Sequence, residues 1–270
     1  MLINNKLPIS AIVVGYNEAH FLKVSLPKLD FCDELIYFDL GSKDKSVEVA
    51  TNNGAKIINH KRVPGCEWIH AKYSQTTRHK WVLITDPDEV LSTDLVLEIE
   101  SLFLLGKLST KNIGCITSPL IYHFKDKPLK GTIWGGIGSR ILLIHNERFN
   151  FKPLVHLGRE LKIGYSNYDI PFKGKNYINH YWMVGYRKLF EKHIRYLKNE
   201  GEARYLKGHR ISFISILLKP LKAFRLSFIY ERGYKDGITG LFLSLFWAWY
   251  DTIASAKLYL YQRSVKMSWK

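Results

Sequence analysis

Three carboxylates, Asp86, Asp88 and Glu89, stand together in the stretch HKWVLITDPDEVLS, residues 79–92. They follow directly on the apolar run Trp81–Ile84. Side chains alternate along an extended chain, so Asp86 and Asp88 project to the same side if that geometry continues past the run. Pro87 between them fixes one backbone dihedral. Neighbouring carboxylates repel each other unless a proton or a cation lies between them. Hard oxygen donors select Mg2+ or Mn2+, and such ions take diphosphates as co-ligands. Asp86 and Asp88 are therefore candidate metal ligands for a reaction in which a diphosphate departs. The competing reading is a turn and helix start, which also favours Asp.

Two more polar clusters follow apolar runs. Tyr16-Asn17-Glu18 comes after Ile9–Val14, and Asp39 to Asp44 comes after Leu35–Phe38. The elements that would position them alternate. Strand Ile9–Val14 passes into a helix from Glu18. Strand Leu35–Phe38 is followed by a helix over Asp44–Asn53, with Gly54 as its stop. A short strand in AKIINH precedes a helix over Trp68–Arg78, strand Trp81–Thr85, and a helix capped by Ser92 or Thr93 that ends before Gly106. This order predicts an α/β fold with a mostly parallel central sheet and helices on both faces. Ligands of such sheets sit beyond the carboxyl ends of the strands, where all three polar clusters fall. From Ile113 the pattern changes to longer strands (CITSPLIYHF, SRILLIHNERF) around the glycine-rich GTIWGGIG, and then to helices.

The stretches ISAIVVGYNEAHFLKVSLPKL, DELIYFDLGSKDKSVEVATNNGAKII and WVLITDPDEVLS resemble the nucleotide-sugar half of family 2 glycosyltransferases. The nearest subgroup is the bacterial lipopolysaccharide-core β-glucosyltransferase type, whose C-terminal signature YERGYKDGITGLF is similar to. The resemblance implies a GT-A (Rossmann-like) fold and a nucleoside-diphosphate sugar, UDP-linked, as donor. It also implies inversion at the anomeric carbon and assistance by Mg2+ or Mn2+. Carried onto this chain, it puts Tyr16 and Glu18 in the nucleoside pocket. Asp39 would contact the base, with Gly41, Ser42 and Asp44 completing that wall. Asp86 would lie near ribose or diphosphate, and Asp88 would ligate the metal. The family often has a small polar residue where Leu40 stands and Ala where Pro87 stands, and its Arg-Asn pair before the fourth strand is not evident in AKYSQTTRHKW. Lys72 and Arg78 are the candidates for the missing basic contact.

Inverting transfer needs a group that takes the acceptor hydroxyl's proton. The resemblance points to FKPLVHLGRELKIG, with His156 and Glu160 as the two candidates; the family's acid directly after the histidine is replaced by Leu157. Trp134 to Arg140 (WGGIGSR) reads as an acceptor-side loop, since glycines admit close approach and tryptophan suits a sugar face. A plain hairpin connection is the alternative.

The chain has 270 residues, 46% apolar, with formal net charge +16. From Pro171 to Lys270 there are 19 Lys and Arg against 6 Asp and Glu, so +13 of the excess lies there. Such imbalance favours a polyanionic partner, nucleic acid or anionic lipid. Gly237–Tyr250 is uncharged but stops at Asp251, short of the roughly twenty residues a spanning helix needs. Two amphipathic helices lying in a membrane interface fit better. Phe213, Ile216, Leu217, Phe224 and Phe228 would mark one, and Phe242, Leu245, Phe246 and Trp249 the other. Lys219, Lys222, Arg225, Arg232 and Lys235 would face headgroups. Capping of the core, or a homo-oligomer contact, is the alternative. The expected division is 1–110 for the nucleotide-sugar half, 111–208 for the acceptor half of the same domain, and 209–270 for the basic helical tail.

Cys32, Cys66 and Cys115 form no CxxC pair, which fits a reducing compartment, and the N-terminus shows no signal-peptide pattern. The expected location is cytoplasmic, peripheral on the inner face of the cell membrane, with a lipid-linked or cell-surface glycan as acceptor. Two rival functions are weighed. A sugar-phosphate nucleotidylyltransferase would carry a glycine-rich basic loop where GYNEAHF stands. A basic nucleic-acid-binding protein is suggested by charge alone, with no recognisable nucleic-acid motif, so no nucleic acid is expected.

Overall fold

The computed structural model describes residues 6–106, 108, 112–151 and 159–268. The chain forms two compact units: residues 1–120 with 137–180, and residues 121–136 with 181–270. It passes between them after residues 120, 136 and 180.

The first unit opens with the predicted alternation. Strands β1 (Leu7–Gly15), β2 (Cys32–Asp39) and β3 (Lys56–Asn59) alternate with helices α1 (Ala19–Ser25), α2 (Ser46–Asn52) and α3 (Glu67–Tyr73). Then come β4 (Trp81–Thr85), the short β5 (Glu89–Leu91) and α4 (Thr93–Leu104). The α/β class holds. Strands β3, β2, β1 and β4 are neighbours in that order and parallel. The strands are apolar on both faces because both are covered: Ile12, Val14, Ile36, Phe38, Val82 and Ile84 share one buried cluster, while Ala11, Val13, Tyr37 and Leu83 on the other face are equally buried. Ser92 caps α4 through a 3.2 Å hydrogen bond from the Leu95 N–H, and Gly106 follows the helix at φ +63°.

Beyond β4 the sheet is no longer parallel. Strand β8 (Gly138–His145) lies between β4 and β6 (Ile113–Phe124) and is antiparallel to both, and β7 (Lys127–Pro128) is antiparallel to β6. Their connections are too short for a crossover helix, so the chain must turn back on itself. Strands β9 (Phe149–Phe151) and β10 (Arg159–Leu161) form a separate antiparallel ribbon. Strand β11 (Ser166–Asp169) lies parallel to β6, and the start of β12 (Ile178–Met183) pairs antiparallel with β5. The three cysteines are free thiols, and burial pushes Cys32 up and Cys115 up to about 11. Thiols so shifted are poor nucleophiles, as expected of packing residues.

The second unit is helical: α5 (Tyr186–Leu197), α6 (Glu200–Leu206), α7 (Phe213–Leu217), α8 (Lys219–Arg225) and the 32-residue α9 (Gly237–Ser268). Phe124, Leu129, Trp182, Leu189, Leu243, Phe246 and Tyr250 form its core. The first of the two expected tail helices is broken instead of continuous. Pro220, which lacks an N–H, stands at the start of α8, and Arg232 adopts left-handed φ +54° after a π turn over Leu226–Tyr230. Phe246 is buried, whereas Phe213, Leu217, Leu245 and Trp249 are exposed. No helix among the described residues is long and apolar enough to cross a membrane.

Asp251, which interrupts the apolar run in the sequence, is buried and neutralised. Its carboxylate accepts from Arg204 at 2.8 Å and lies 3.0 Å from Lys219 Nζ, while Arg204 also reaches Glu200 at 2.9 Å. Lys219 therefore turns to Asp251 and not to a headgroup; a buried carboxylate outbids solvent for the nearest ammonium. Asp251→Ala leaves two cations facing each other. It is expected to cost about 2 kcal/mol, discounted for the partial exposure of both cations, as read from urea denaturation midpoints.

Candidate active site

Sheet register brings the three polar clusters to one edge. Gly15 stands beside Asp39, and Val13 beside Thr85, so the chains leaving β1, β2 and β4 emerge together. Gly15 is the pivot. A Cβ there would lie 2.7 Å from Tyr37 Oη and 3.2 Å from Pro87 Cγ. A side chain there would have to displace the Tyr37 hydroxyl and push Pro87 back by a few tenths of an ångström, so glycine suits the close approach of β1 to the carboxylate turn.

The loops after β1 and β2 are laced together. Asp39, 4% exposed, accepts the N–H groups of Gly41 and Ser42, each at 3.0 Å, with Gly41 at φ +87°. Asn17, itself at φ +55°, donates its N–H to Ser42 Oγ at 2.9 Å and accepts from the Lys43 N–H at 2.7 Å. The Glu18 N–H donates to Ser46 Oγ at 2.8 Å. Asp44 accepts from the Ala19 N–H at 3.1 Å and from both the N–H and hydroxyl of Ser46. Burial alone would raise the Asp44 pKa, but the Ser46 hydroxyl and the two N–H donors outweigh it and hold the carboxyl below its ordinary value. Ser42 and Asp44 thus tie the two loops together, and Tyr16, next in the chain to Asn17, carries the Arg62 guanidinium 3.7 Å above its ring. Sequence reasoning passed over Arg62, which is exposed and carries a cation to this edge.

The carboxylate stretch is a turn. The Glu89 N–H donates to Asp86 O at 3.0 Å, so the chain reverses over Pro87 and Asp88 and does not stay extended. Asp86 and Asp88 remain half-buried. Glu89, 1% exposed, is the hub. It accepts from the Asp86 N–H at 3.0 Å and the Thr85 hydroxyl at 3.2 Å, and it is ion-paired with Arg140 Nη1. Arg140 Nη1 also lies 3.9 Å from Asp86 Oδ2, and Nη2 donates to Ile84 O at 3.2 Å. His180 Nε2 stands 3.5 Å from Asp88 Oδ2 and Nδ1 3.7 Å from Glu89 Oε1. Register explains the meeting: Leu83 opposes Leu143 in the antiparallel β4–β8 pair, which carries Arg140 to Asp86, and His180 opposes Glu89 across β5–β12.

The remaining candidates stand on other elements. Lys72 is exposed on α3 with Nζ 5.1 Å over the Tyr73 ring. Arg78 pairs with Asp33 at 3.0 Å, at the amino ends of the strands and thus away from the carboxylate edge. Glu160 is exposed on the β9–β10 ribbon, and His156 lies outside the described residues. Trp134, partly buried, packs against the second unit's aromatic core, its ring 4.7 Å from Trp182.

Among the described residues no set of three His, Cys, Asp or Glu groups is disposed to hold a metal. Asp88 and His180 provide two adjacent donors. Of these only the Asp88 carboxylate is a hard oxygen donor, and one carboxylate suits an ion such as Mg2+, which keeps waters and takes substrate phosphates beside one or two carboxylates.

No family model matches the chain. It is 26% identical over 259 residues to a protein of Rickettsia bellii described as an uncharacterized glycosyltransferase, covering 93% of this chain and 85% of that one. A Rickettsia felis protein of the same description is 25% identical, covering 93% and 89%. Among solved structures, a glucosyl-3-phosphoglycerate synthase from Mycobacterium tuberculosis, in complex with Mn2+ and uridine-diphosphate-glucose, aligns with TM-score 0.32 and 21% identity over 43% of each chain. The chain thus spans less than half of that structure's length. Over nearly its whole length, it is similar to bacterial proteins described as glycosyltransferases.

Proposed function

We propose that the chain is an inverting glycosyltransferase of the GT-A kind. It moves a sugar from a nucleoside-diphosphate sugar, UDP-linked, to a hydroxyl of a lipid-linked or cell-surface glycan at the inner face of the cell membrane. The observation that carries this is the convergence of Asp39, Asp86 and Asp88 on one sheet edge, each at the exit of a parallel strand. The likeness to the Rickettsia proteins supports it.

In this reading the wall of Tyr16, Glu18, Asp39, Gly41, Ser42 and Asp44 receives the nucleoside, and its cross-loop hydrogen bonds fix its shape before the donor arrives. Preorganisation of that kind lowers the ordering cost of binding. Arg62 and Arg140 bring positive charge to the edge where a diphosphate would lie. Asp88, with Asp86 and His180 beside it, would hold Mg2+ or Mn2+, which when bound neutralises charge on the departing diphosphate. The acceptor's proton goes to a base at His156 or Glu160, attack coming from the face opposite the leaving group.

Thermal-shift titration with nucleotide sugars is the direct test. UDP-glucose with Mn2+ is expected to raise Tm by several degrees, and far more than either alone, since a ligand that binds only the folded chain stabilises it by mass action. No shift with any nucleotide sugar, with or without metal, overturns the reading.

A further inference from the structure

A cavity of about 610 Å³ opens in the second unit, lined by Phe124 to Lys130 together with Lys235, Asp236 and Thr239. Its charge is lopsided. Lys125, Lys127, Lys130 and Lys235 contribute four cations against the carboxylates of Asp126 and Asp236. Asp236 is committed to the backbone, accepting the N–H groups of Lys130 and Gly131 at 2.8 Å each. Lys125 Nζ stands 4.5 Å over the Tyr186 ring, while Lys127, Lys130 and Lys235 are exposed at the rim.

The walls are held rigidly. A Cβ on Gly131 would lie 2.1 Å from Arg232 O, so the YERGYKDG segment and the loop after β7 touch backbone to backbone, and one on Gly240 would lie 1.8 Å from Gly233 O, so the same segment packs as closely on the first turn of α9. Lys125, Thr132 and Arg232 all have left-handed φ, at 55°, 68° and 54°. Three non-glycine residues in that region cost energy each and persist only where the surroundings over-determine them. Nothing in sugar transfer as derived above uses this construction. Tyr234 and Ile238, which bracket Lys235 in the chain, are 54% and 86% exposed. Cationic rim and exposed apolar side chains together match a membrane-lipid headgroup better than a free anion, because a soluble phosphate would leave the apolar pair in water.

We infer that this cavity is a docking pocket for the phosphate of an anionic phospholipid headgroup. The inference rests on the membrane part of the reading above and not on the sugar-transfer part.

Co-sedimentation of the full chain with phosphatidylcholine vesicles, with and without phosphatidylglycerol, tests it. The variant Lys127→Glu/Lys130→Glu is compared with the charge-matched Lys198→Glu/Lys207→Glu, all four lysines being exposed and none placed at the donor site. The pocket variant is expected to lose at least about tenfold in partitioning onto phosphatidylglycerol vesicles, and the control less than about threefold. Equal losses overturn the pocket and leave diffuse surface attraction. Equal binding to vesicles charged to the same degree with oleate, which has no phosphate, overturns the phosphate assignment. Wild-type protein that ignores phosphatidylglycerol vesicles yet still shifts with UDP-glucose and Mn2+ overturns membrane docking while sparing sugar transfer.

Discussion

Asp88→Asn is expected to lower sugar transfer by about three orders of magnitude while leaving the fold as stable as the parent to within about 1 kcal/mol. The two halves of that expectation have separate causes. Asp88 lies at the tip of the turn with a side chain 26% exposed, and its carboxylate is not what holds the turn closed; that is done by the Glu89 N–H donating to Asp86 O and by Glu89's own acceptors. Removing the charge therefore costs little inside the chain, and Asn keeps the shape. Removing it from the site is different. Asn offers a neutral oxygen in place of an anionic one, and a hard divalent ion discriminates strongly against that exchange. Several kcal/mol of charge stabilisation in the transfer step depend on the ion. The measurement is turnover of UDP-sugar beside a urea midpoint on the same preparation, with the Mn2+-dependent thermal shift as a third readout. Unchanged turnover removes Asp88 from the chemistry.

What the sequence disclosed is what local physics decides. Strand β4 was bounded to the residue, Trp81–Thr85, because an apolar run ends where Asp and Pro begin. The Ser92 cap and the left-handed glycines at 54 and 106 were legible for the same reason, since each serves only its own helix end. The carboxylate turn departs from the extended geometry expected of it: proline's fixed φ suits the second position of a β-turn, and Pro87 takes that position. Arg140 and His180 were not legible as partners of the turn. Arg140 belongs to β8 and His180 to β12, and which residues they oppose depends on antiparallel register set far along the chain. Glu89 was counted among three carboxylates but given no work, because burial and not type is what sets it apart. In the tail, composition announced apolar helices and a basic excess. It could not announce that Asp251 finds Arg204 and Lys219, since those lie on α6 and α8.

The buried hub makes the largest stability prediction. Arg140→Ala is expected to cost about 3–5 kcal/mol, a large part of the 5–15 kcal/mol that holds a typical domain folded. Glu89 is 1% exposed, and the guanidinium beside it, with a side chain 13% exposed, is its cationic partner from β8. The Thr85 hydroxyl and the Asp86 N–H satisfy lone pairs but carry no charge. Alanine leaves an anion in a place water hardly reaches, and it also withdraws the donor to Ile84 O at the end of β4. The cost is thus one of stranding a charge, not of losing an attraction. That distinction is testable. Glu89→Gln added to Arg140→Met removes both charges while keeping volume and the amide's hydrogen-bonding capacity, so the double variant should recover most of the lost stability. The turn would keep its shape in the double variant, while the cation that Arg140 brings to the donor edge would still be missing. Urea denaturation of the parent, Arg140→Met, Glu89→Gln and their double variant closes the cycle, with Arg140→Ala measured beside them. A single Arg140→Ala within about 1 kcal/mol of the parent, or a double variant no better than it, would mean that Glu89 is not the charge on which this edge of the sheet is built.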